Sequence, residues 1–207
     1  MSVAQPTVFI VDDDAGVRDS LALLLELHGY RTRASGSAEA FLAGLDPNSS
    51  GCAIVDLRMP GMDGAALQDE LHRRGSTMPV IIITAHGDVS AARTTLKAGA
   101  VDFIEKPIDD VQLLAAIRLA LGRDAEHRGE QAQAAELEAR IGRLTARERQ
   151  VMDLVVSGRH NREIAAELGI SPRTVEVYKS HLMEKLRVRR IPDLVRLVLA
   201  ARPKGTR

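Results

Sequence analysis

The sequence predicts two domains, an α/β domain built on a five-stranded parallel sheet and a smaller all-helical domain after it. Short apolar, β-branched runs alternate with amphipathic stretches through the first 120 residues, whereas the pattern is helical throughout from about Thr145. The charge divides in the same way: residues 1–124 carry 11 Lys and Arg against 17 Asp and Glu, and residues 142–207 carry 15 against 7. We therefore expect an acidic first domain and a basic second domain with different partners.

The five strands are predicted at the apolar runs 8–11, 31–34, 52–55, 79–84 and 101–105. Because most of these runs are apolar throughout and do not alternate, they fit strands covered by helices on both faces of the sheet. The intervening helices are predicted at residues 15–28, from Ser37 onward, at 64–74, between Thr84 and residue 99, and from Asp109 through Leu121. We expect this first domain to span residues 1–122.

Residues 123–141 are rich in Ala, Gln, Glu and Arg and are predicted to form a linker that is partly helical. Leu137, Ile141 and Leu144 have the spacing of a short apolar seam, which leaves a coil, a lone helix and a dimer-forming helix open. The second domain, residues 142–207, is predicted to contain four helices at 146–157, at 161–168, from Pro172 onward and at 191–201. Ser171 before Pro172 is a strong signal for a helix start.

Several classes of protein are disfavoured by composition. The longest apolar runs fall far short of the ~18 residues that a membrane span needs, and the N-terminus has no signal-peptide pattern. Cys52 is the only cysteine, so an intramolecular disulfide and a thiolate metal cluster are excluded. We expect a cytoplasmic protein.

Charged and hydroxyl side chains follow four of the predicted strands and should gather at one edge of the sheet. They are Asp12, Asp13, Asp56, Thr84 and Lys106. In open parallel sheets, ligands bind outside the carboxyl ends of the strands. Carboxylates held together favour a bound cation, and oxygen ligands without His or Cys favour Mg²⁺, with Mn²⁺ as an alternative ion. Asp56 is the best candidate for a carboxylate that attacks phosphorus to form an aspartyl phosphate, and Lys106 would neutralise the phosphate oxygens.

Four motifs in order resemble those of receiver domains, over residues ~5–122: 11–13 (VDD), 56–64 (DLRMPGMDG), 83–88 (ITAHGD) and 105–107 (EKP). The resemblance implies a flavodoxin-like strand order 2-1-3-4-5. It also implies that Asp56 is the phosphoacceptor, that Asp12, Asp13 and the backbone carbonyl of Arg58 hold Mg²⁺ beside it, and that the 106–107 peptide is cis. Thr84 would bind the phosphate together with Lys106, and Phe103 would be the aromatic residue that switches between buried and exposed positions.

The basic domain contains a helix–tight turn–helix at residues 161–186. In DNA-binding proteins of this form, the second helix enters the major groove with its N-terminal part. Arg173 could bind guanine or a phosphate, Glu176 could accept a hydrogen bond from cytosine, and Val177 could pack on a thymine methyl group. The full set of predicted DNA contacts is Arg162, Arg173, Thr174, Glu176, Val177, Lys179, Ser180 and Arg187, of which Arg162, Lys179 and Arg187 are expected at phosphates.

The segment from Leu144 through Leu186 resembles the LuxR-type helix-turn-helix, and the whole chain is similar to the FixJ/NarL-like response regulators, above all to the FixJ branch. This resemblance implies a non-enzymatic transcription regulator that a sensor histidine kinase phosphorylates. Its other expected partners are promoter DNA, a second copy of the chain on activation, and RNA polymerase as a candidate; no membrane is expected.

Two other functions are weighed against this one. A phosphatase of the haloacid-dehalogenase type also uses a strand-end Asp, but it has a second acid two residues later, where this sequence has Arg58. The other is a DNA-binding protein whose receiver is never phosphorylated.

Overall fold

The computed structural model describes residues 5–84 and 94–201, which fall into two compact units, residues 1–128 and 129–207. Within the described ranges, no helix combines the length and the apolar character that crossing a membrane requires.

The first unit is built on a parallel five-stranded sheet. Its strands are β1 (Thr7–Val11), β2 (Arg31–Ser35), β3 (Gly51–Asp56), β4 (Val80–Thr84) and β5 (Asp102–Glu105). Their order across the sheet is β2-β1-β3-β4-β5, which confirms the predicted order. Strand β1 therefore pairs with β2 on one side and β3 on the other, and the chain direction across the sheet reverses between β1 and β3.

Helices follow the strands where the sequence predicts them. They are α1 (Ala15–Leu27), α2 (Ala38–Gly44), α3 (Gly64–Arg73) and α4 (Asp110–Gly142). The side chains of Asp14, Ser37 and Asp63 accept backbone N–H groups at the starts of α1, α2 and α3, so each of these helices begins at a short polar residue. The helix predicted between β4 and β5 lies partly in 85–93, outside the described residues; residues 94–97 are helical.

Each face of the sheet has its own apolar core. Phe9, Val11, Ala53, Val55 and Ile82 point to one face, where α2 and α3 pack. Neighbouring residues on the same strands point to the other face, where Leu21 and Leu25 of α1 and Leu113 and Ile117 of α4 pack. Burial of both faces explains why the strands read as continuous apolar runs.

Helix α4 is longer than predicted, because it continues past Leu121 through the whole predicted linker to Gly142. Gly122 and Gly129 do not interrupt it. Each glycine destabilises a helix by only ~1 kcal/mol relative to alanine. The helical residues between the two glycines are also held in place by hydrogen bonds to residues 49–51. The buried Asp124 accepts hydrogen bonds from Ser50 Oγ (2.8 Å) and the Gly51 N–H (3.0 Å), and Arg128 donates to the Ser49 carbonyl (3.1 Å).

The second unit contains four helices after the end of α4. They are α5 (Ala146–Val156), α6 (Asn161–Leu168), α7 (Pro172–Lys185) and α8 (Ile191–Ala201). Their shared core is formed by apolar residues at helical spacing, including Val151, Ile164, Val175, Leu182 and Leu194. Of the predicted seam, Leu144 is buried in this core and Ile141 packs against it, so part of the seam serves the interior of the unit.

Candidate functional site: an acidic pocket and a basic helix-turn-helix

The carboxyl ends of the strands bring the predicted polar residues to one edge of the sheet. Asp12 follows β1 and Asp56 ends the adjacent strand β3, so the two acids flank the point where the strand order reverses. Thr84 ends β4, where its carbonyl accepts the Lys106 N–H at 2.9 Å just after β5. Ligands of open parallel sheets bind at this place.

Lys106 lies between the two buried carboxylates. Its Nζ is 2.7 Å from Asp56 Oδ1 and 3.2 Å from Asp12 Oδ2. The second oxygen of Asp56 accepts the Arg58 N–H at 2.9 Å, and that of Asp12 accepts the Asp14 N–H at 2.8 Å. Asp12 and Asp56 are 2% and 6% exposed, so one ammonium group serves two carboxylates that are almost removed from water.

The environment moves the pKa values of this group. Burial raises the pKa of Asp56 and the nearby Asp12 charge adds to the rise, although the hydrogen bond and the charge of Lys106 oppose it. Burial would lower the pKa of Lys106, but its hydrogen bonds to Asp56 and Asp12 outweigh burial and raise it. The lysine is therefore firmly protonated, and its positive charge offsets part of the negative charge of the two carboxylates.

The remaining predicted residues of the pocket lie around this centre. Asp13 is exposed next to Asp12, Thr84 is buried, and Phe103 is half-buried against the core face that contains α2 and α3. The Lys106–Pro107 peptide is cis, as the resemblance implies. In the described ranges, no group of three or more His, Cys, Asp or Glu side chains is arranged so that it could hold a metal ion. Residues 85–88 of the third motif lie outside the described residues.

Two residues that sequence reasoning missed shape the loop after Asp56. Gly64 begins α3 against the end of β3, and a Cβ atom there would lie 2.6 Å from the Asp56 carbonyl oxygen, so only glycine allows this approach. From α2, the Glu39 carboxylate accepts the Met62 N–H at 3.0 Å. The glycine stands in a quoted motif and could have been found there, but no sequence signal indicates that Glu39 contacts a loop 23 residues away.

In the second unit, Ser171 begins the predicted DNA-reading helix α7. Its Oγ accepts the Thr174 N–H at 3.1 Å and lies 2.8 Å from the Thr174 hydroxyl. Gly169, at the end of α6, has the left-handed conformation (φ 65°) that a tight turn requires. The turn therefore presents the first residues of α7 at a surface.

The residues predicted to contact DNA differ in their exposure to solvent. Those exposed are Arg162, Arg173, Glu176, Val177, Ser180 and Arg187, whereas Thr174 and Lys179 are half-buried. Lys179 Nζ donates to Asn161 Oδ1 at 3.0 Å, which ties the middle of α7 to the start of α6. Arg187 stands apart from the others: it follows the C-terminal end of α7, about 21 Å along the helix axis from Arg173, and lies 3.9 Å from Glu136.

A buried ion pair of the second unit was also missed. Glu148 of α5 is 4% exposed and lies 2.7 Å from Lys185 Nζ at the end of α7. The same Glu148 carboxylate accepts the Thr145 N–H at 2.8 Å. The pattern Thr145-x-x-Glu148 is the sequence signature of a capping box, so half of this network could have been predicted.

Comparisons with known proteins match both units. Residues 8–118 match the family described as response regulator receiver domain, and residues 143–198 match the family of bacterial regulatory proteins, luxR family.

Relatives of the whole chain are also known. The chain is 47% identical to the transcriptional regulatory protein FixJ of Azorhizobium caulinodans over 194 residues, which cover 94% of this chain and 92% of that protein. It is 44% identical to FixJ of Rhizobium meliloti over 94% of this chain and 95% of that protein.

Solved structures give the same result. The response regulator StyR is 42% identical with a TM-score of 0.86, covering 95% of this chain and 99% of that one. Full-length FixJ from B. japonicum is 41% identical with a TM-score of 0.59, covering 96% and 98%. The chain therefore belongs to the two-component response regulators of FixJ type, with a receiver domain followed by a LuxR-type DNA-binding domain.

Proposed function

We propose that this protein is a transcription regulator controlled by phosphorylation, in which a sensor histidine kinase transfers a phosphoryl group to Asp56. The single observation that carries the proposal is the contact of Lys106 with both Asp12 and Asp56 at 3.2 and 2.7 Å, at the strand ends of a receiver domain. Phosphorylation of Asp56 would then control dimerisation of the chain and its binding to promoter DNA.

The geometry suits Asp56 as the attacking carboxylate. An ionised oxygen of Asp56 forms the new O–P bond while the bond from phosphorus to the donor breaks. Lys106 and the Arg58 N–H keep the carboxylate oriented before the attack, since each holds one of its oxygens. After transfer, the phosphoryl oxygens carry negative charge that Lys106 and the Thr84 hydroxyl are expected to bind.

The residues of the pocket fit a magnesium ion. Mg²⁺ in proteins is bound by one or two carboxylates and keeps several waters, so it does not need a complete cage of side chains. Asp12 and Asp56 both contact Lys106 and are buried, and the exposed Asp13 follows Asp12 in the chain. We infer that these acids and the Arg58 carbonyl hold Mg²⁺ or Mn²⁺, which when bound neutralises charge on the phosphoryl group.

The receiver's output is proposed to pass through Thr84 and Phe103. If Thr84 turns towards the phosphoryl group, the space near β5 changes, and the half-buried Phe103 is free to move further into it. Such a change biases an equilibrium between two conformations of the domain. The protein then acts as a regulator and not as an enzyme, because the phosphoryl group is a signal held on Asp56.

DNA binding is proposed for the exposed face of α7. Arg173, Glu176 and Val177 lie on one exposed stripe in its first turns, where base edges are read. Arg162 and Lys179 are expected at phosphates, with Thr174 and Ser180 beside them and Arg187 at a phosphate further along. The excess of 15 basic over 7 acidic residues in residues 142–207 favours nucleic acid as the partner.

The proposal is tested by exposing the purified chain to acetyl phosphate and Mg²⁺ and measuring intact mass. Wild type should gain one phosphoryl group. Asp63→Asn, which changes a neighbouring carboxylate that only caps α3, should gain it as well. Asp56→Asn should gain none, and equal incorporation in this variant would show that Asp56 is not the acceptor.

A further inference from the structure

Arg18, in the first turns of α1, binds the backbone of the acidic loop. A single nitrogen, Nη1, donates to the carbonyl of Asp12 at 2.7 Å and to the carbonyl of Asp13 at 2.9 Å. Neither the proposed phosphoryl transfer nor the predicted ligand set uses this residue. Arg18 lies six residues after Asp12 and five residues after Asp13, and this spacing is not part of any motif in the sequence.

The two hydrogen bonds fix a turn in the backbone. In an extended strand, successive carbonyl groups point in opposite directions. One nitrogen can reach the carbonyls of two consecutive residues only where the chain has left the strand, and β1 ends at Val11. The Asp14 N–H closes the same turn by donating to Asp12 Oδ1 at 2.8 Å.

This turn has a consequence for the two acids. Consecutive side chains of a strand point to opposite faces of the sheet, so two adjacent aspartates in a continued β1 could not serve one site. We propose that Arg18 is a positioning residue for the divalent-cation site, because it holds the Asp12–Asp13 turn that lets both carboxylates take part. The inference rests on the proposed function of the pocket.

The Arg18 side chain also packs against a second loop of the first unit. It is half-buried, and a Cβ atom on Gly36 would lie 3.5 Å from its Nη1, so it packs over the loop between β2 and α2. That loop is joined to the acidic turn by the Asp12 N–H, which donates to the Ser35 carbonyl at 3.3 Å. Among the described residues, Arg18 forms hydrogen bonds with these two carbonyls and no ion pair.

Charge alone predicts the opposite effect on metal binding. A guanidinium near a cation site repels the cation, so its removal should strengthen Mg²⁺ binding if Arg18 acted only through its charge. If Arg18 holds the turn, its removal should weaken binding, and partners that orient ligands typically contribute 10–100-fold to metal affinity. The sign of the change therefore separates the two roles.

The experiment is isothermal titration of the full-length chain with MgCl₂. Arg18→Met should raise the dissociation constant about tenfold. Arg18→Lys should restore most of the affinity, because one nitrogen makes both hydrogen bonds and an ammonium group can replace it. The control is Arg118→Met, which removes an exposed arginine of α4 in the same unit and should leave the affinity unchanged.

A second readout separates positioning from loss of fold. At saturating Mg²⁺, Arg18→Met should take a phosphoryl group from acetyl phosphate at nearly the wild-type rate, while at low Mg²⁺ it should lag. Unchanged or tighter Mg²⁺ binding in Arg18→Met would overturn the inference, and so would an Arg18→Lys chain that recovers its melting temperature but not its Mg²⁺ affinity. Wild-type protein that binds no Mg²⁺, or Asp56→Asn protein that is phosphorylated, would instead refute the proposed function.

Discussion

In each of the two units, a lysine contacts a buried carboxylate, and the two carboxylates respond in opposite ways. Lys106 Nζ lies 2.7 Å from Asp56 in the first unit, and Lys185 Nζ lies 2.7 Å from Glu148 in the second. Asp56 is 6% exposed and Glu148 is 4% exposed. Yet the pKa of Asp56 is raised, mainly by burial, and the pKa of Glu148 is lowered, mainly by its hydrogen bond to Lys185.

The difference lies in the balance between burial and hydrogen bonding: burial has the largest influence on the pKa of Asp56, whereas the hydrogen bond to Lys185 has the largest influence on the pKa of Glu148. Lys106 serves a second buried carboxylate, Asp12, whose charge repels that of Asp56. Glu148 accepts hydrogen bonds from Lys185 Nζ at 2.7 Å, from the N–H of Thr145 at 2.8 Å and from the hydroxyl of Thr145 at 3.0 Å. A carboxylate with several donors stabilises the fold, whereas two carboxylates with one cation leave charge that a ligand can neutralise.

Removing the Glu148 charge should have the largest effect on stability of the changes that test this comparison. Glu148→Gln should lower the free energy of unfolding of the second unit by about 2 kcal/mol, since Lys185 and Thr145 lose a charged, buried acceptor. Thermal or urea unfolding followed by circular dichroism measures the loss. Glu163→Gln is the matched control, because Glu163 accepts the His160 N–H at the start of α6 but is exposed, and it should change the free energy of unfolding much less than Glu148→Gln. Equal losses in both variants would show that burial of Glu148 contributes nothing.

The equivalent substitution in the acidic pocket should raise the free energy of unfolding instead of lowering it. Asp56→Asn removes a buried charge and its repulsion by Asp12, so it should stabilise the first unit by about 1 kcal/mol at neutral pH without Mg²⁺. Because the folded-state pKa of Asp56 is raised, ionisation of this group opposes folding, and the cost is fully present above the folded-state pKa. The melting temperature of the variant in buffer with a chelator provides the measurement; a lower value than wild type would contradict the assignment of a strained site.

Acid titration sharpens the comparison further. Glu148 has a folded-state pKa below its ordinary value of 4.5, so its contribution is present above that value and is lost as the pH falls through the folded-state pKa. We expect wild type to lose stability in the second unit in this range, by no more than the Glu148→Gln penalty. Unfolding midpoints from pH 7 to pH 3 should therefore converge for wild type and Glu148→Gln. Profiles that stay parallel down to pH 3 would exclude Glu148 as the titrating group.

Local signals in the sequence predicted the elements well. The helix starts at Ser37 and Ser171 and the tight turn before α7 depend on neighbouring residues, and the structure confirms them. The strand-end rule also predicted that Asp12, Asp56 and Lys106 lie close together, and Lys106 contacts both acids. The roles of Asp13, Phe103 and the DNA-contacting residues remain predictions.

What the sequence did not predict depends on contacts between distant residues. Lys185 meets Glu148 across 37 positions, and Glu39 reaches a loop 23 positions away, so no short pattern records either contact. The length of helix α4 also depends on contacts with residues that are distant in the sequence. Gly122 and Gly129 favour a break by local propensity, but the contacts that hold the helix between them come from residues 48–51, more than 70 positions earlier.

The hydrogen bonds of Asp124 give a third kind of buried acid, with a smaller expected effect on stability than the Glu148 contact. Asp124 is 5% exposed and accepts hydrogen bonds from two neutral donors, the Ser50 hydroxyl and the Gly51 N–H. Ser50→Ala removes one of them and leaves the other, so the first unit should lose about 1 kcal/mol, less than for Glu148→Gln. Ser20→Ala, which removes an exposed hydroxyl of α1 bonded to the Gly16 carbonyl, is the control and should change little.

Hydrogen exchange locates the loss. If Asp124 holds α4 to the sheet, Ser50→Ala should speed exchange of amides near residues 120–128 while leaving those of β4 protected as in wild type. Equal acceleration at both places would mean that the substitution loosens the whole unit. Unchanged exchange near residue 124 would show that α4 keeps its course through the former linker by its own helical propensity, without the sheet.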